Sequence, residues 1–203
     1  MERTILHCDL NNFFASVSLL YNQTLMTEPV AVGGSVENRH GIILAKNEIA
    51  KRFGVKTAEP IWKAKQKCAG LYVLPPLYDK YEEFSLKARA IYHRYTDMVE
   101  PFGMDECWLD VTGSRLLFGS GEEIAKKIMR DIKNELNITA SVGVSFNKIF
   151  AKLGSDMKKP EGLTIISKEN FKDKIYSLPA SDLLYVGKST AESLARKGVF
   201  TIG

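Results

Sequence analysis

The sequence of 203 residues is 45% hydrophobic and 26% charged, a balance typical of a globular protein with a substantial buried core. The net charge of +4 permits binding to a nucleic acid but does not require it. No apolar run reaches the length of a membrane span, and the three separated cysteines lack metal-site spacing. Because the N-terminus also shows no signal-peptide pattern, we expect a cytoplasmic protein that does not engage a membrane.

The first predicted element is a buried strand that ends in an acid. Residues 4–9 form an apolar run closed by Asp9. Asn12 is a plausible N-cap for the helix that follows, whose apolar residues have helical spacing from Phe13 onward. The sequence therefore predicts a carboxylate at a strand-to-helix junction.

The segment from residue 28 to residue 74 is predicted to be a small insertion with its own sheet. Short apolar runs alternate there with short amphipathic stretches and turn residues. Its predicted elements are a strand at 28–34, a polar loop at 35–40, a strand at 41–45, a helix at 47–53 stopped by Gly54, a helix at 61–67 and a strand at 71–74.

A second acidic position follows a long helix predicted at 78–98. Asp105 and Glu106 stand between an apolar approach and a run, 107–111, that alternates like a half-buried strand. An ionised carboxylate is not left buried unless it is paired or holds a cation. Two adjacent acids in this setting suggest a metal site; the alternative is a hairpin turn that happens to contain two acids.

The remaining elements complete a recognisable order. They are a turn-rich loop at 113–121, an amphipathic helix at 122–136, a strand at 139–145, a helix at 147–158 capped by Asn147, a strand at 162–166 and a helix at 168–177. Strand, helix, hairpin, helix, strand is the split βαβ, ferredoxin-like order of an α+β fold, in which the first strand lies beside the hairpin. Three neighbouring carboxylates would suit Mg²⁺, and two such ions about 4 Å apart support phosphoryl transfer.

Three runs of the sequence resemble the signatures of the Y-family, or translesion, DNA polymerases. They are residues 7–17, residues 104–110, and residues 141–152 followed by 156–162. Within that family the chain is most similar to the bacterial UmuC and DNA polymerase IV branch, and the match covers nearly all of the chain in order. The resemblance implies template-directed DNA synthesis past lesions, in which the primer 3′-OH attacks the α-phosphate of a dNTP.

The resemblance also implies roles for particular residues. Asp9, Asp105 and Glu106, with the backbone carbonyl of Leu10, would hold two Mg²⁺ ions. The remaining implied residues bind the incoming nucleotide: Phe14 as the steric gate against a 2′-hydroxyl, its neighbour Phe13, and Lys51 and Lys159 at the triphosphate. For Phe14 the alternative is a core aromatic, the position expected of Phe13, and for Lys159 it is a solvated loop lysine.

The domains implied by the resemblance are a palm at 1–27 and 75–166, fingers at 28–74 and a partial helix-hairpin-helix thumb at 167–203. The little-finger domain would lie outside the chain, so we expect an N-terminal catalytic fragment with poor activity of its own. The implied partners are primer-template DNA and dNTP, with a sliding clamp reached through the missing C-terminal part, and the expected state is a monomer.

The thumb motif has a simple physical basis. Gly187, Lys188 and Ser189 stand at the start of a predicted helix, where backbone N–H groups can hold a DNA phosphate without reading the base sequence. The alternative is an ordinary turn between two helices.

Two positions depart from the family pattern. Glu48 and Lys51 stand where many members have a Tyr and an Arg that contact the triphosphate. An acid near a polyanion is unfavourable, so Glu48 is expected either to turn away or to be offset by nearby cations. This departure leaves two other functions open: a catalytically weak DNA-binding or interaction module of a damage-response complex, and, less favoured, a nucleotide cyclase on the same palm.

Overall fold

The computed structural model describes residues 2–34 and 41–203, so the polar loop predicted at 35–40 lies outside the described residues. The chain divides into two compact units. The first comprises Met1–Asp9, Arg89–Glu135 and Thr139–Gly203, and the second comprises Leu10–Ala88 and Leu136–Ile138. The boundaries of the palm, the fingers and the thumb remain predictions.

Eight strands and nine α-helices are found in the described residues, joined by short 3₁₀ turns. In chain order they are β1 (Ile5–Leu10), α1 (Phe13–Leu20), β2 (Val30–Gly33), β3 (Ile43–Lys46), α2 (Glu48–Arg52), α3 (Ile61–Lys67), β4 (Tyr72–Leu74), α4 (Tyr78–Tyr92), β5 (Val99–Phe102), β6 (Glu106–Asp110), α5 (Arg115–Phe118), α6 (Gly121–Leu136), β7 (Ala140–Ser145), α7 (Lys148–Met157), β8 (Leu163–Ile166), α8 (Phe171–Ile175) and α9 (Lys188–Arg196).

The larger sheet has the strand order β5-β6-β1-β7-β8. β1 is antiparallel to β6, and β7 is parallel to β8. The first four of these strands have the ferredoxin-like order, and β8 extends it by one strand. The predicted α+β fold is therefore confirmed, as is the prediction that the first strand lies beside the acidic hairpin.

Burial explains why the sequence forms these elements. All six residues of β1 are buried, so the strand reads as a continuous apolar run that carries its acid inside. α6 buries the predicted stripe at every fourth residue, namely Ile124, Ile128, Ile132 and Leu136. The amphipathic face predicted for this helix is thus confirmed.

α7 lies very close to β7, and a glycine makes this possible. The Asn147 side chain caps α7 as predicted, because its Oδ1 accepts a hydrogen bond of 2.8 Å from the N–H of Phe150. A Cβ added to Gly143 would stand 1.9 Å from the carbonyl oxygen of Ala151 and 2.5 Å from the backbone nitrogen of Ser155. No side chain fits between strand and helix at this point, so the approach of α7 depends on this glycine.

The second unit contains the smaller sheet, with the strand order β3-β2-β4. Asn47 ties the start of α2 to this sheet: its Oδ1 accepts hydrogen bonds from the N–H groups of Ala50 and Val30, and its amide donates to the carbonyl of Glu28. One apolar cluster in the core of this unit consists of Ala31, Ile43, Ala50, Val55, Ile61, Ala64, Cys68 and Leu71.

Two predicted helix boundaries are wrong, and one predicted loop contains an additional helix. The helix predicted to end at 98 stops at Tyr92. Beyond it, the hydroxyl of Thr96 donates a hydrogen bond of 2.7 Å to the carbonyl of Asp110, and this contact favours a turn. The segment predicted as a turn-rich loop at 113–121 does contain a 3₁₀ turn, at Thr112–Ser114, but it also contains the short helix α5, which was not predicted. The helix predicted at 168–177 shortens to α8 because Asn170 takes part in a turn with Ser167.

Two predictions of finer detail also need correction. Asn12 precedes α1 but makes no side-chain capping bond; its φ of 49° is left-handed. The predicted helix-hairpin-helix has only a 3₁₀ turn, Ala180–Asp182, in place of a regular helix upstream of α9. Among the described residues, no helix is both long and apolar enough to cross a membrane.

The contact between α7 and β7 gives a stability prediction. Gly143→Ala should destabilise the first unit by about 3 kcal/mol or prevent folding, because backbone atoms of α7 occupy the position of the new methyl group. Urea unfolding followed by circular dichroism measures the change. Gly113→Ala is the matched control, since a Cβ there meets nothing within 4 Å; equal stability of the two variants would contradict the prediction.

Candidate active site

The pairing of β1 with β6 brings two acids together. Asp9 lies opposite Glu106 in the antiparallel register, and Asp9 is only 4% exposed. Asp105 immediately precedes β6, in the turn that follows Gly103. Two of the predicted carboxylates are therefore direct cross-strand neighbours, and the third adjoins them in sequence; like charges placed in this way repel unless cations lie nearby.

Two lysines supply the positive charge. Lys159 Nζ lies 2.5 Å from Asp9 Oδ2, and Lys152 Nζ lies 3.3 Å from the same oxygen. Lys152 Nζ also lies 3.0 Å from Glu106 Oε1, and its side chain is only 12% exposed. A largely buried ammonium with three donors thus links the two acids.

The pKa values of these groups follow from burial and charge. Burial raises the pKa of Asp9, and the Lys159 ammonium acts against this shift. Burial lowers the pKa of Lys152, but the negative charges of Asp9 and Glu106 outweigh it and raise the value to about 12. Both partners of Asp9 are therefore ammonium ions at neutral pH, which favours an ionised Asp9. Burial, with the charges of Asp9 and Glu106, raises the pKa of Asp105 to about 6.

A buried histidine lies behind Glu106. The Ser155 hydroxyl lies 2.8 Å from His7 Nδ1 and 2.8 Å from the carbonyl oxygen of Lys152, so it ties the ring to α7; the tautomer of His7 sets the direction of its hydrogen bond to the ring. His7 Nε2 faces Glu106 Oε2 at 3.2 Å, and neither atom makes a regular hydrogen bond. Burial tends to raise the pKa of Glu106, but His7 and Lys152 outweigh burial and lower the value to about 2.

The chemistry of these donors fits a hard divalent cation. Carboxylate oxygens are the ligands that Mg²⁺ prefers, and Glu106 Oε2 is a buried oxygen without a hydrogen bond. In the arrangement seen here, no group of three or more His, Cys, Asp or Glu side chains within the described residues is placed to hold a metal ion. The lysine ammonium groups occupy oxygens of Asp9 and Glu106, so a cation would have to displace them.

The second unit holds the predicted aromatic residues. The ring of Phe14 is half-buried and stacks on Tyr81, with centroids 4.2 Å apart and an interplanar angle of 9°. Tyr81 is fully buried and shares a hydrogen bond of 2.7 Å with the hydroxyl of Ser18. Phe13 is 3% exposed and lies in the core, as expected for it. Phe14 therefore has a rigid aromatic backing and one partly open side.

Glu48 has partners of its own. Its Oε1 accepts a hydrogen bond of 3.0 Å from the amide of Asn12 and lies 3.5 Å from Lys51 Nζ. Lys51 thus lies close enough to offset part of the Glu48 charge, and the orientation of Glu48 toward a triphosphate stays a prediction. The amide of Asn12, which does not cap α1, is instead used to bind Glu48.

The remaining predicted residues are Leu10 and the three residues predicted to contact DNA. Leu10 ends β1 with its side chain buried. Gly187 is the N-cap residue of α9, and Lys188 and Ser189 begin this exposed helix. The start of α9 therefore presents backbone N–H groups at the surface, as a phosphate contact would require.

Four residues of the acidic centre were not assigned a role from the sequence. They are His7, Lys152, Ser155 and Asp156. One signal was available: Lys152 and Asp156 are four residues apart on one helix, which places them on one face. His7 offered no signal, because a buried histidine in a strand is indistinguishable from an ordinary core residue.

Known proteins resemble this chain both in sequence and in structure. The model of the impB/mucB/samB family matches residues 8–156. The chain is 59% identical over its whole length to a DNA polymerase IV of Acetivibrio thermocellus and 43% identical to DNA polymerase IV 1 of Bacillus subtilis. It spans 51% and 49% of those two proteins. An insertion ternary complex of Dbh DNA polymerase superimposes with a TM-score of 0.91 at 31% identity, over 98% of this chain and 58% of that one.

Proposed function

The chain belongs to the impB/mucB/samB family, and on that premise we propose that it carries the catalytic site of a translesion DNA polymerase. The proposed reaction is template-directed nucleotidyl transfer from a dNTP to a primer 3′-OH. The observation that carries the proposal is the cross-strand pairing of Asp9 with Glu106, next to Asp105, in a buried and otherwise apolar sheet. Such a cluster is costly to keep unless it serves to bind cations.

We propose that Asp9, Asp105, Glu106 and the carbonyl of Leu10 hold two Mg²⁺ ions. Bound ions of this kind activate an attacking oxygen and stabilise a leaving phosphate. The protein's own contribution is to hold the oxygens in place: the β1–β6 register fixes Asp9 against Glu106, and His7 and Lys152 keep the Glu106 carboxylate ionised. Positioning and electrostatics supply most of the catalysis in phosphoryl transfer.

The incoming nucleotide is proposed to meet Phe14, Lys51 and Lys159. A ring stacked flat on Tyr81 cannot easily rotate away, so Phe14 is well suited to exclude a 2′-hydroxyl as the steric gate. Lys159 is a mobile point charge that can pass from a carboxylate to a triphosphate. Phe13, which is buried beside Phe14, is proposed to support that ring.

DNA contacts are proposed at the start of α9, around Gly187, Lys188 and Ser189. Backbone N–H groups there would hold a phosphate of the primer-template without regard to sequence. We also propose that the protein is a monomer. A sliding clamp would be contacted through a longer chain. The alternative, a catalytically weak DNA-binding module, draws support from the contact of Glu48 with Lys51, which engages a cation otherwise available to the triphosphate.

The metal assignment predicts the behaviour of an Asp105 variant. Asp105→Asn should reduce nucleotide addition by at least about 100-fold and leave DNA affinity close to that of the wild type, because this carboxylate would bind metal and not DNA. Primer extension with Mg²⁺ at low salt measures the first quantity and fluorescence anisotropy the second. Asp97→Asn, at an exposed position of the same unit, is the control. Normal extension by the Asp105 variant would exclude the proposed role of this carboxylate, whereas a wild type that binds DNA but does not extend the primer would favour the binding module.

The steric-gate assignment predicts a change in sugar selection. Phe14→Ala should lower the preference for dNTP over the matching rNTP by about 10- to 100-fold, because the space for a 2′-hydroxyl would open. Single-nucleotide insertion with each triphosphate gives the ratio of kcat/KM values. Phe53→Ala removes an aromatic ring that is 54% exposed in the same unit and should leave the ratio unchanged. An unaltered ratio for the Phe14 variant would show that the ring has only a packing role.

The contacts of Glu48 predict a gain of function. Glu48→Gln should lower the KM for dNTP about two- to threefold, since it releases Lys51 from an exposed ion pair and removes a negative charge. The amide oxygen of glutamine can still accept the hydrogen bond from Asn12. Steady-state insertion kinetics measure the change, with the exposed Glu82→Gln as control. A KM equal to that of the wild type would mean that Lys51 does not reach the triphosphate.

A further inference from the structure

Asp156 holds both ammonium groups of the acidic centre. Its Oδ2 lies 3.1 Å from Lys152 Nζ, and its Oδ1 lies 2.9 Å from Lys159 Nζ. Its own side chain is 43% exposed, far more than the 6% of the Asp9 side chain. Asp156 stands four residues after Lys152 on one face of α7, and Lys159 follows the end of that helix, three residues after Asp156.

Each lysine is therefore shared between two kinds of carboxylate. On one side are the buried acids, Asp9 and Glu106, to which a metal is proposed to bind. On the other side is Asp156, at the rim of the cluster. The same two ammonium ions contact both sides, so neither lysine depends on the buried acids alone.

This arrangement has a consequence for cation binding. A divalent ion at Asp9 and Glu106 must take the oxygens that the ammonium groups now contact, and a displaced ammonium that is partly buried needs another partner. Asp156 already contacts both lysines, so in the exchange Lys159 gives up Asp9, Lys152 gives up Asp9 and Glu106, and both keep Asp156 as a partner. Without Asp156 the two lysines would compete more strongly with a divalent ion for the oxygens of Asp9 and Glu106.

We propose that Asp156 is a positioning residue that receives Lys152 and Lys159 when metal ions bind to the buried carboxylates. The inference rests on the proposed metal site and deepens it. Asp156 acts through the lysines: it keeps the positive charges beside the acidic centre while freeing the oxygens of Asp9 and Glu106 for the ions. In this way Asp156 lowers the free energy needed to replace the ammonium groups by metal ions at Asp9 and Glu106.

The test is a titration of the 203-residue chain with Mn²⁺ alone, without nucleotide or DNA, followed by the electron paramagnetic resonance signal of free Mn²⁺. Asp156→Asn should weaken Mn²⁺ binding about three- to tenfold. Asp173→Asn, which makes the same charge change at an exposed position of α8, should leave the affinity within about twofold of the wild type.

A double-mutant cycle separates action through the lysines from simple loss of negative charge. In a Lys152→Gln/Lys159→Gln background, Asp156→Asn should change the Mn²⁺ affinity less than about twofold. An equal loss of affinity in both backgrounds would overturn the proposal, because it would show a through-space charge effect. Thermal unfolding without metal establishes that each variant is folded; if the double background is not, the cycle uses Lys159→Gln alone, where the effect of Asp156→Asn should still be smaller than in the wild type.

The outcome also distinguishes this inference from the proposed function. Mn²⁺ binding that is lost in Asp105→Asn but equal in the wild type and Asp156→Asn would overturn the role of Asp156 and leave the metal site standing. Absence of Mn²⁺ binding to the wild type, or binding that does not respond to Asp105→Asn, would overturn the metal site and this inference together.

Discussion

The central constraint on this protein is the juxtaposition of carboxylates inside an apolar sheet. The register of β1 against β6 places Asp9 opposite Glu106, and the burial of Asp9 and partial burial of Glu106 limit the solvent that normally stabilises charge. The structure meets this constraint with cations rather than with neutralised acids. Lys152 and Lys159 lie against the carboxylates, and the raised pKa values of these lysines reflect the strength of that attraction.

The lysines can reach the acids only because α7 lies close to the sheet. Gly143 removes the side chain that would separate β7 from this helix, and the backbone of Ala151 fills the space. The same helix supplies Ser155, which fixes the imidazole of His7 behind Glu106. One helix thus provides Lys152 in front of the carboxylates and Ser155 behind them, and Lys159 follows directly after its end. The close packing at Gly143 therefore also serves the electrostatics of the site.

In the second unit a departure from the family pattern has acquired a structural role. Glu48 binds the amide of Asn12, which holds a left-handed conformation directly before α1. α1 carries Phe14, whose ring is stacked on Tyr81. The acid that looked unfavourable beside a polyanion therefore helps to fix the turn that leads to this aromatic residue, and its charge is offset in part by Lys51. A substitution at this position changes both the local charge and the support of the turn.

Local patterns predict most elements, the ferredoxin-like order and the acids, because periodicity and turn residues act between near neighbours in the chain. The helical pattern extends α4 beyond Tyr92, where the contact of Thr96 with the distant Asp110 favours a turn. The partners of the acids depend on the folded chain: Lys159 and Asp9 are 150 residues apart, and their contact depends on the order of strands and the approach of α7. Contacts of this kind leave no local pattern, since each side chain alone is compatible with a solvated surface or a plain core.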